Sequence, residues 1–230
     1  MIRASVRFRL LAVLVSLLAV VCAGPVRGDV VALYTFTAQN PPNCDRSGDG
    51  YAADSADPNA TASDVSLADF NPDTLTGVPD SDECYIEDPP SGPLYGFTIL
   101  RLQPSNGLTG ADSMSPADAI ANDKYFAFTV TANAGHVMNL SSLTFDAARG
   151  GGATPRGWAL LSDVDGFTNI IDTQDVPTQR NELTSFTVDL TDASFQGLSE
   201  ITFRMYSYTP STGQSVEYHN LSLNGTVAAQ

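Results

Sequence analysis

Basic residues are scarce in this 230-residue chain: 11 Lys and Arg stand against 26 Asp and Glu, for a formal charge of -15, and Lys124 is the only lysine. Phosphate backbones are bound through clustered cations, so this composition excludes nucleic acid as a partner. Histidine and cysteine are scarcer still, at 2 and 3 residues. No H-E-x-x-H, no G-x-S-x-G and no zinc-like Cys/His spacing can be assembled from them, and no catalytic residue is singled out. Long apolar runs are missing except for Leu10 to Cys22. At about 13 residues that run is short of the roughly 20 a transmembrane helix requires, so no membrane span is expected in the mature chain.

What is there begins with that run. Arg3, Arg7 and Arg9 precede it and small residues follow, the pattern of a secretory signal peptide over residues 1–28, with cleavage between about 23 and 28. Ala19-Val20-Val21-Cys22 places a bulky valine where a lipoprotein signal wants a small residue. The expected location is therefore extracellular or periplasmic. Removal of Arg3, Arg7 and Arg9, with Arg27 at the later site, deepens the charge to about -18 to -19. Cys22 leaves with the leader, and Cys44 and Cys84 remain in an oxidising compartment, where a disulfide is expected. It would close a loop of about 40 residues and contribute about 4 kcal/mol on the chain-entropy model. The region it ties, residues 40–93, is rich in Pro, Asp, Ser and Gly.

Residues 29–230 read as one domain made almost wholly of strands. KYFAFTVT alternates strictly, with Phe126, Phe128 and Val130 on one side. SFTVDL aligns Phe186, Val188 and Leu190, EITFRMYSY aligns Ile201, Phe203 and Met205, and VEYHNLSLNGTV aligns Leu221, Leu223 and Val227. VVALYTFT, ATASDVSLADF with a bend, and YGFTILRL add further strands. Met138 to Phe167 reads as a β-hairpin about the bend Gly150 to Gly152, its returning strand carrying the only tryptophan. One short helix is expected, with Ser115 as cap, Pro116 in the first turn and Asp118 behind it. About eight to ten strands with little helix point to an all-β, antiparallel, jelly-roll-like β-sandwich.

The strings ALYTFT, ATASDVSLADF, YFAFTVTANAGHVMNLSSLTFDAARGGG, RGWALLSDVDGF and EYHNLSLNGTV resemble the jelly-roll ectodomains of secreted bacterial proteins, many of which carry a PEP-CTERM sorting tail. The resemblance implies the fold and export. Tail-bearing members end in a Pro-Glu-Pro motif, an apolar helix and basic residues, whereas this sequence ends Ala228-Ala229-Gln230, so anchoring by that route is not expected. His219 stands where members commonly have an acidic residue.

Three places carry candidate chemistry. Asp45, Ser47 and Asp49 alternate as the opening ligands of a calcium loop with Gly50 at the sixth position, but Ala53 and Ala56 occupy the ninth and twelfth, and a solvated Asp-Gly turn accounts for the same letters. Glu217 shares parity with His219, Leu221 and Leu223, which would turn it toward the core beside Asn220 and offer a second oxygen site for calcium. Arg149, Arg156 and Trp158 flank the glycine bend, and Arg204, Tyr206 and Tyr208 share the non-core parity of their strand. Aromatic faces stack on sugar C–H surfaces while arginine pairs with carboxylate or sulfate, so these six form the candidate ligand site for an acidic polysaccharide. Trp158 in the core would be the plainer account. The sequence thus reads as a secreted, non-enzymatic carbohydrate-binding or matrix module. A glycan-active enzyme and a purely structural envelope protein stand as alternatives.

Overall fold

The computed structural model describes residues 29–36, 52–68, 84–87, 99–102, 104, 113–149, 155–177, 182–210 and 214–230. They form two antiparallel sheets packed face to face. The first is built on β1 (Asp29–Tyr34), β8 (His136–Arg149), β11 (Thr184–Asp189) and β14 (Val216–Ala229), in the order β11-β8-β14-β1. The second is built on β7 (Tyr125–Ala132), β9 (Gly157–Ser162), β10 (Asp172–Asp175) and β13 (Glu200–Tyr208), in the order β10-β9-β13-β7. Chain neighbours fall on opposite sheets at β7 to β8, β8 to β9, β10 to β11 and β13 to β14. That interleaving is the winding of a jelly roll, so the expected fold class holds.

Short strands extend both sheets. β2 (Ser55–Ala56) pairs β1, and β5 (Cys84–Glu87) pairs β6 (Ile99–Leu102), which pairs the start of β14. β3 (Ala60–Ala62) and β4 (Ser66–Ala68) both pair β7, so the bend expected inside ATASDVSLADF falls at residues 63–65. β12 (Gln196–Leu198) pairs β8.

The alternating residues supply the core. Phe126, Phe128, Val130, Phe203, Met205, Leu143, Phe145, Leu221 and Leu223 are all buried in one cluster between the sheets. Aromatic rings meet across it: Phe128 lies 5.3 Å from Tyr34 and 5.5 Å from Phe203, and Phe126 meets Tyr218 at 5.2 Å.

Two expectations are corrected. The predicted hairpin of residues 138–167 does not exist: β8 pairs β11 and β14, whereas β9 pairs β10 and β13 in the other sheet. A glycine-rich link between two half-buried strands is chemically the same whether it turns within a sheet or arches between two. The second correction concerns β14. Val216 and Tyr218 face the core, and so do Leu221 and Leu223, which requires one extra residue between them. A β-bulge provides it: the register with β8 shifts between His219 and Ser222, and Asn220 takes φ 50. Glu217 and His219 therefore point away from the core, opposite to the parity expectation.

Candidate functional site

Five of the six sequence-selected ligand residues separate onto opposite faces of the second sheet, and Arg149 lies on β8 of the first. Trp158 points inward and is 0% exposed, set edge-on to Phe145 at 5.0 Å and to Phe186 at 5.4 Å. It fills the space between β8, β9 and β11 and offers no platform to solvent. Arg156 shares its inward parity and is 0% exposed, with Nη1 donating to the Ser215 carbonyl at 2.9 Å and Nη2 to Gln214 Oε1. Arg149, at the end of β8, is buried on the core side as well. The expected solvent-facing group of Arg149, Arg156 and Trp158 is thus corrected to an interior one. Arg156 and Trp158 share one face, and it is the inward one.

Arg204, Tyr206 and Tyr208 do lie on the outer face, where they meet a cover. Helix α1 (Pro116–Ala121) starts at Ser115, whose hydroxyl oxygen accepts the Asp118 N–H at 3.2 Å, and Pro116 sits in the first turn as expected. The helix lays Ala119 against Ala159, Leu161, Tyr206 and Tyr208 in a second, smaller apolar cluster. Both tyrosines are consequently buried. The Tyr208 hydroxyl donates to Asp175 Oδ1 at 2.6 Å, and burial first, then that carboxylate, raises its pKa above the ordinary value. Burial likewise raises the Tyr206 pKa, with a partial offset from Arg204.

Arg204 is only half-buried and forms the centre of the outer face. Its guanidinium carbon lies 3.7 Å from the Phe167 ring centroid and 4.6 Å from that of Tyr125, and Tyr125 in turn meets Tyr206 at 4.9 Å. A cation clasped by two ring faces keeps its N–H edge for other partners. No carboxylate among the described residues forms an ion pair with it. One row along, the outward Thr129 and Thr202 hydroxyls share a hydrogen bond of 2.9 Å.

Phe167 reaches Arg204 because its loop is tightly tied. A 3-10 turn at Asp163–Asp165 ends at Gly166, φ 71, and Phe167 itself has φ 59. The Asp165 carboxylate accepts the N–H groups of Thr168 and Asn169, both at 3.0 Å, and the Asn169 side-chain amide at 2.8 Å. Asp163 Oδ1 accepts the Thr202 N–H at 3.0 Å, which pins the loop to β13. Neither Phe167 nor Tyr125 stood out in the sequence. The only available signal was GF after an acidic turn in DVDGF, and it does not reveal that the ring crosses to another strand.

Asp45, Ser47 and Asp49 lie outside the described residues, as does Cys44 of the expected Cys44–Cys84 disulfide, and residues 1–28 of the leader. Glu217 is buried on the outer side of β14, with Ser215 Oγ donating to its Oε1 at 3.3 Å. Asn220 sits at the bulge with its amide Nδ2 donating to Asp146 Oδ2 at 3.1 Å. Among the described residues no three His, Cys, Asp or Glu side chains group closely enough to hold a metal ion, and no helix is long and apolar enough to cross a membrane.

No family model and no curated protein matches the chain. Among solved structures it is similar to a cleaved adhesin domain of Lys-gingipain from Porphyromonas gingivalis, at 14% identity and TM-score 0.42 over 84% of this chain and 97% of that one. It is also similar to a family 29 carbohydrate-binding module, at 17% identity and TM-score 0.33 over 73% of this chain and 92% of that one. A third is an arabinose-bound α-L-arabinofuranosidase, at 12% identity and TM-score 0.42, where 86% of this chain spans 27% of the other. At this distance these likenesses bear on neither substrate nor activity. The resemblance to tail-bearing secreted proteins likewise narrows to the β-sandwich.

Proposed function

We propose that the protein is a secreted, non-catalytic carbohydrate-binding module of the extracellular matrix or cell surface, and that the outer face around Arg204 takes an acidic polysaccharide. The observation that carries this reading is the half-buried guanidinium held between Phe167 and Tyr125 with no carboxylate partner among the described residues. Ring faces fix its position, so little side-chain entropy is lost when it donates to a sugar carboxylate or sulfate. The exposed parts of the two rings offer apolar surface to a pyranose. A chain with formal charge -15 repels a polyanion at long range, so recognition has to run through a local, desolvated cation of this kind.

The test is affinity electrophoresis in gels containing polygalacturonate, alginate or a neutral glucan. Retardation is expected in an acidic gel, and Arg204→Gln should weaken it about tenfold with an unchanged melting temperature. Equal retardation of the variant overturns the assignment to Arg204. Release of reducing ends would turn the reading to a glycan-active enzyme, and silence in every gel to a structural envelope protein.

A further inference from the structure

The inward Arg149 raises a separate problem. A guanidinium removed from water needs a counter-charge and acceptors for its N–H groups, because desolvation of an unpaired ion is far more costly than that of a neutral amide. Arg149 is 7% exposed, and its Nε and Nη1 have no acceptor among the described residues. On β8 it continues the inward series of Phe145 and Ala147, and it stands opposite Val216 of β14, which is itself in the core. Its side chain therefore enters the space between the sheets, at the end near residues 155 and 156.

Arg156 enters the same end from the opposite sheet. Its Nη1 bonds the carbonyl of Ser215, the residue just before Val216. Ser207 Oγ and the Tyr218 hydroxyl satisfy each other through a 2.7 Å hydrogen bond deep in the core. Among the described residues, the donor capacity left over on the core side is that of Arg149 and of the neutral Trp158 indole N–H, and only Arg149 carries charge.

We infer that this end of the sandwich is an oxyanion site, in which the Nε and Nη1 donors of Arg149 receive one carboxylate, sulfate or phosphate group. The donors are N–H groups only, and the charge is positive inside a strongly acidic chain, so the site selects a small, concentrated negative charge. It is independent of the Arg204 face, which lies on the other side of the second sheet. The oxyanion is either a free inorganic ion or a group pendant from an acidic glycan.

The experiment follows thermal unfolding of the full mature protein by far-UV circular dichroism while sulfate or phosphate replaces chloride at constant ionic strength. The wild-type midpoint is expected to rise saturably, by about 5 °C or more at a hundredfold excess over the dissociation constant. Arg149→Met should remove the saturable part and keep only the shallow, unsaturable rise that sulfate produces in any protein. Arg204→Gln should respond like wild type. Equal curves for wild type and Arg149→Met, or a wild-type midpoint indifferent to both ions and to oligogalacturonate, overturn the inference.

Should Arg149→Met fail to fold, the wild type supplies its own reporter, because Trp158 is the only tryptophan and lies two residues along the chain from Arg156. Its emission should change saturably in the same titrations, and a flat response overturns the site. A response to inorganic sulfate assigns a free ion. A response to oligogalacturonate alone assigns a pendant carboxylate.

Discussion

Replacing Trp158 separates a core ring from a binding platform. The ring is 0% exposed and meets Phe145 and Phe186 nearly perpendicularly, at interplanar angles of 81° and 80°. Truncating such a ring to alanine removes its burial and leaves a cavity that packed sheets cannot close, at a cost of about 3–5 kcal/mol. For a domain of about 200 residues, each kcal/mol moves the midpoint by about 2–4 °C, so Trp158→Ala should melt roughly 6–20 °C lower. Trp158→Phe is the sharper test. It keeps edge-on contact with Phe145 and removes the indole N–H, which is buried with no acceptor among the described residues. An unsatisfied donor costs about 1–3 kcal/mol, which offsets the apolar area lost, and the net change should stay within about 1 kcal/mol. Urea unfolding of each variant, followed by circular dichroism because the only fluorophore of its kind is gone, measures both. A Trp158→Ala protein within about 1 kcal/mol of wild type would refute core burial. A Trp158→Phe protein as damaged as Trp158→Ala would mean that the indole N–H makes a hydrogen bond after all.

Three further outcomes are expected. Burial raises the pKa of Tyr34, Tyr208 and Tyr218 above the ordinary 10.0, so the stability they contribute is complete below that pH and is lost as pH climbs through the folded values. Their tyrosinate absorbance should therefore appear with the unfolding transition, and ionisation of all 8 tyrosines near pH 10.0 with circular dichroism unchanged would contradict the burial. Asn220→Val should destabilise the protein by about 2 kcal/mol in urea, since a β-branched residue resists the left-handed backbone, while Asn220→Gly should cost about 1 kcal/mol or less; equal effects would place the role of Asn220 in its side chain and not in the bulge. Alkylation of the exported protein without reductant should leave its intact mass unmodified if Cys44 and Cys84 are joined, and two added groups would rule the bond out.

Local periodicity carried most of the fold into the sequence, because a strand with one buried face must alternate. Residues 125–132 and 200–208 announce themselves this way, and the cap, proline and acid of α1 did so for the helix. What failed depended on pairing across the chain. Gly150 to Gly152 could not say whether β8 and β9 share a sheet. Nor could VEYHNLSL reveal that one residue bulges, since asparagine is ordinary in strands and only its partner on β8 shows the shift.

The ligand residues suffered from the same limit. Parity divides a strand into two faces but does not label which one meets the other sheet. The label for β9 is set by Phe145 and Phe186 receiving Trp158, and both belong to the opposite sheet. Once that face is inward, Arg156 must follow it inside, and Arg204, on the outward face of β13, has to find its aromatic partners from Tyr125 and the Asp163–Asp165 turn. The same letters thus give two cation environments with opposite demands. The outer guanidinium is already held and can spare its donors, whereas Arg149 is buried with donors that nothing in the described chain accepts. A residue in the second situation is the stronger reason to look for an anion, because removing a charge from water without a partner would otherwise work against the fold that encloses it.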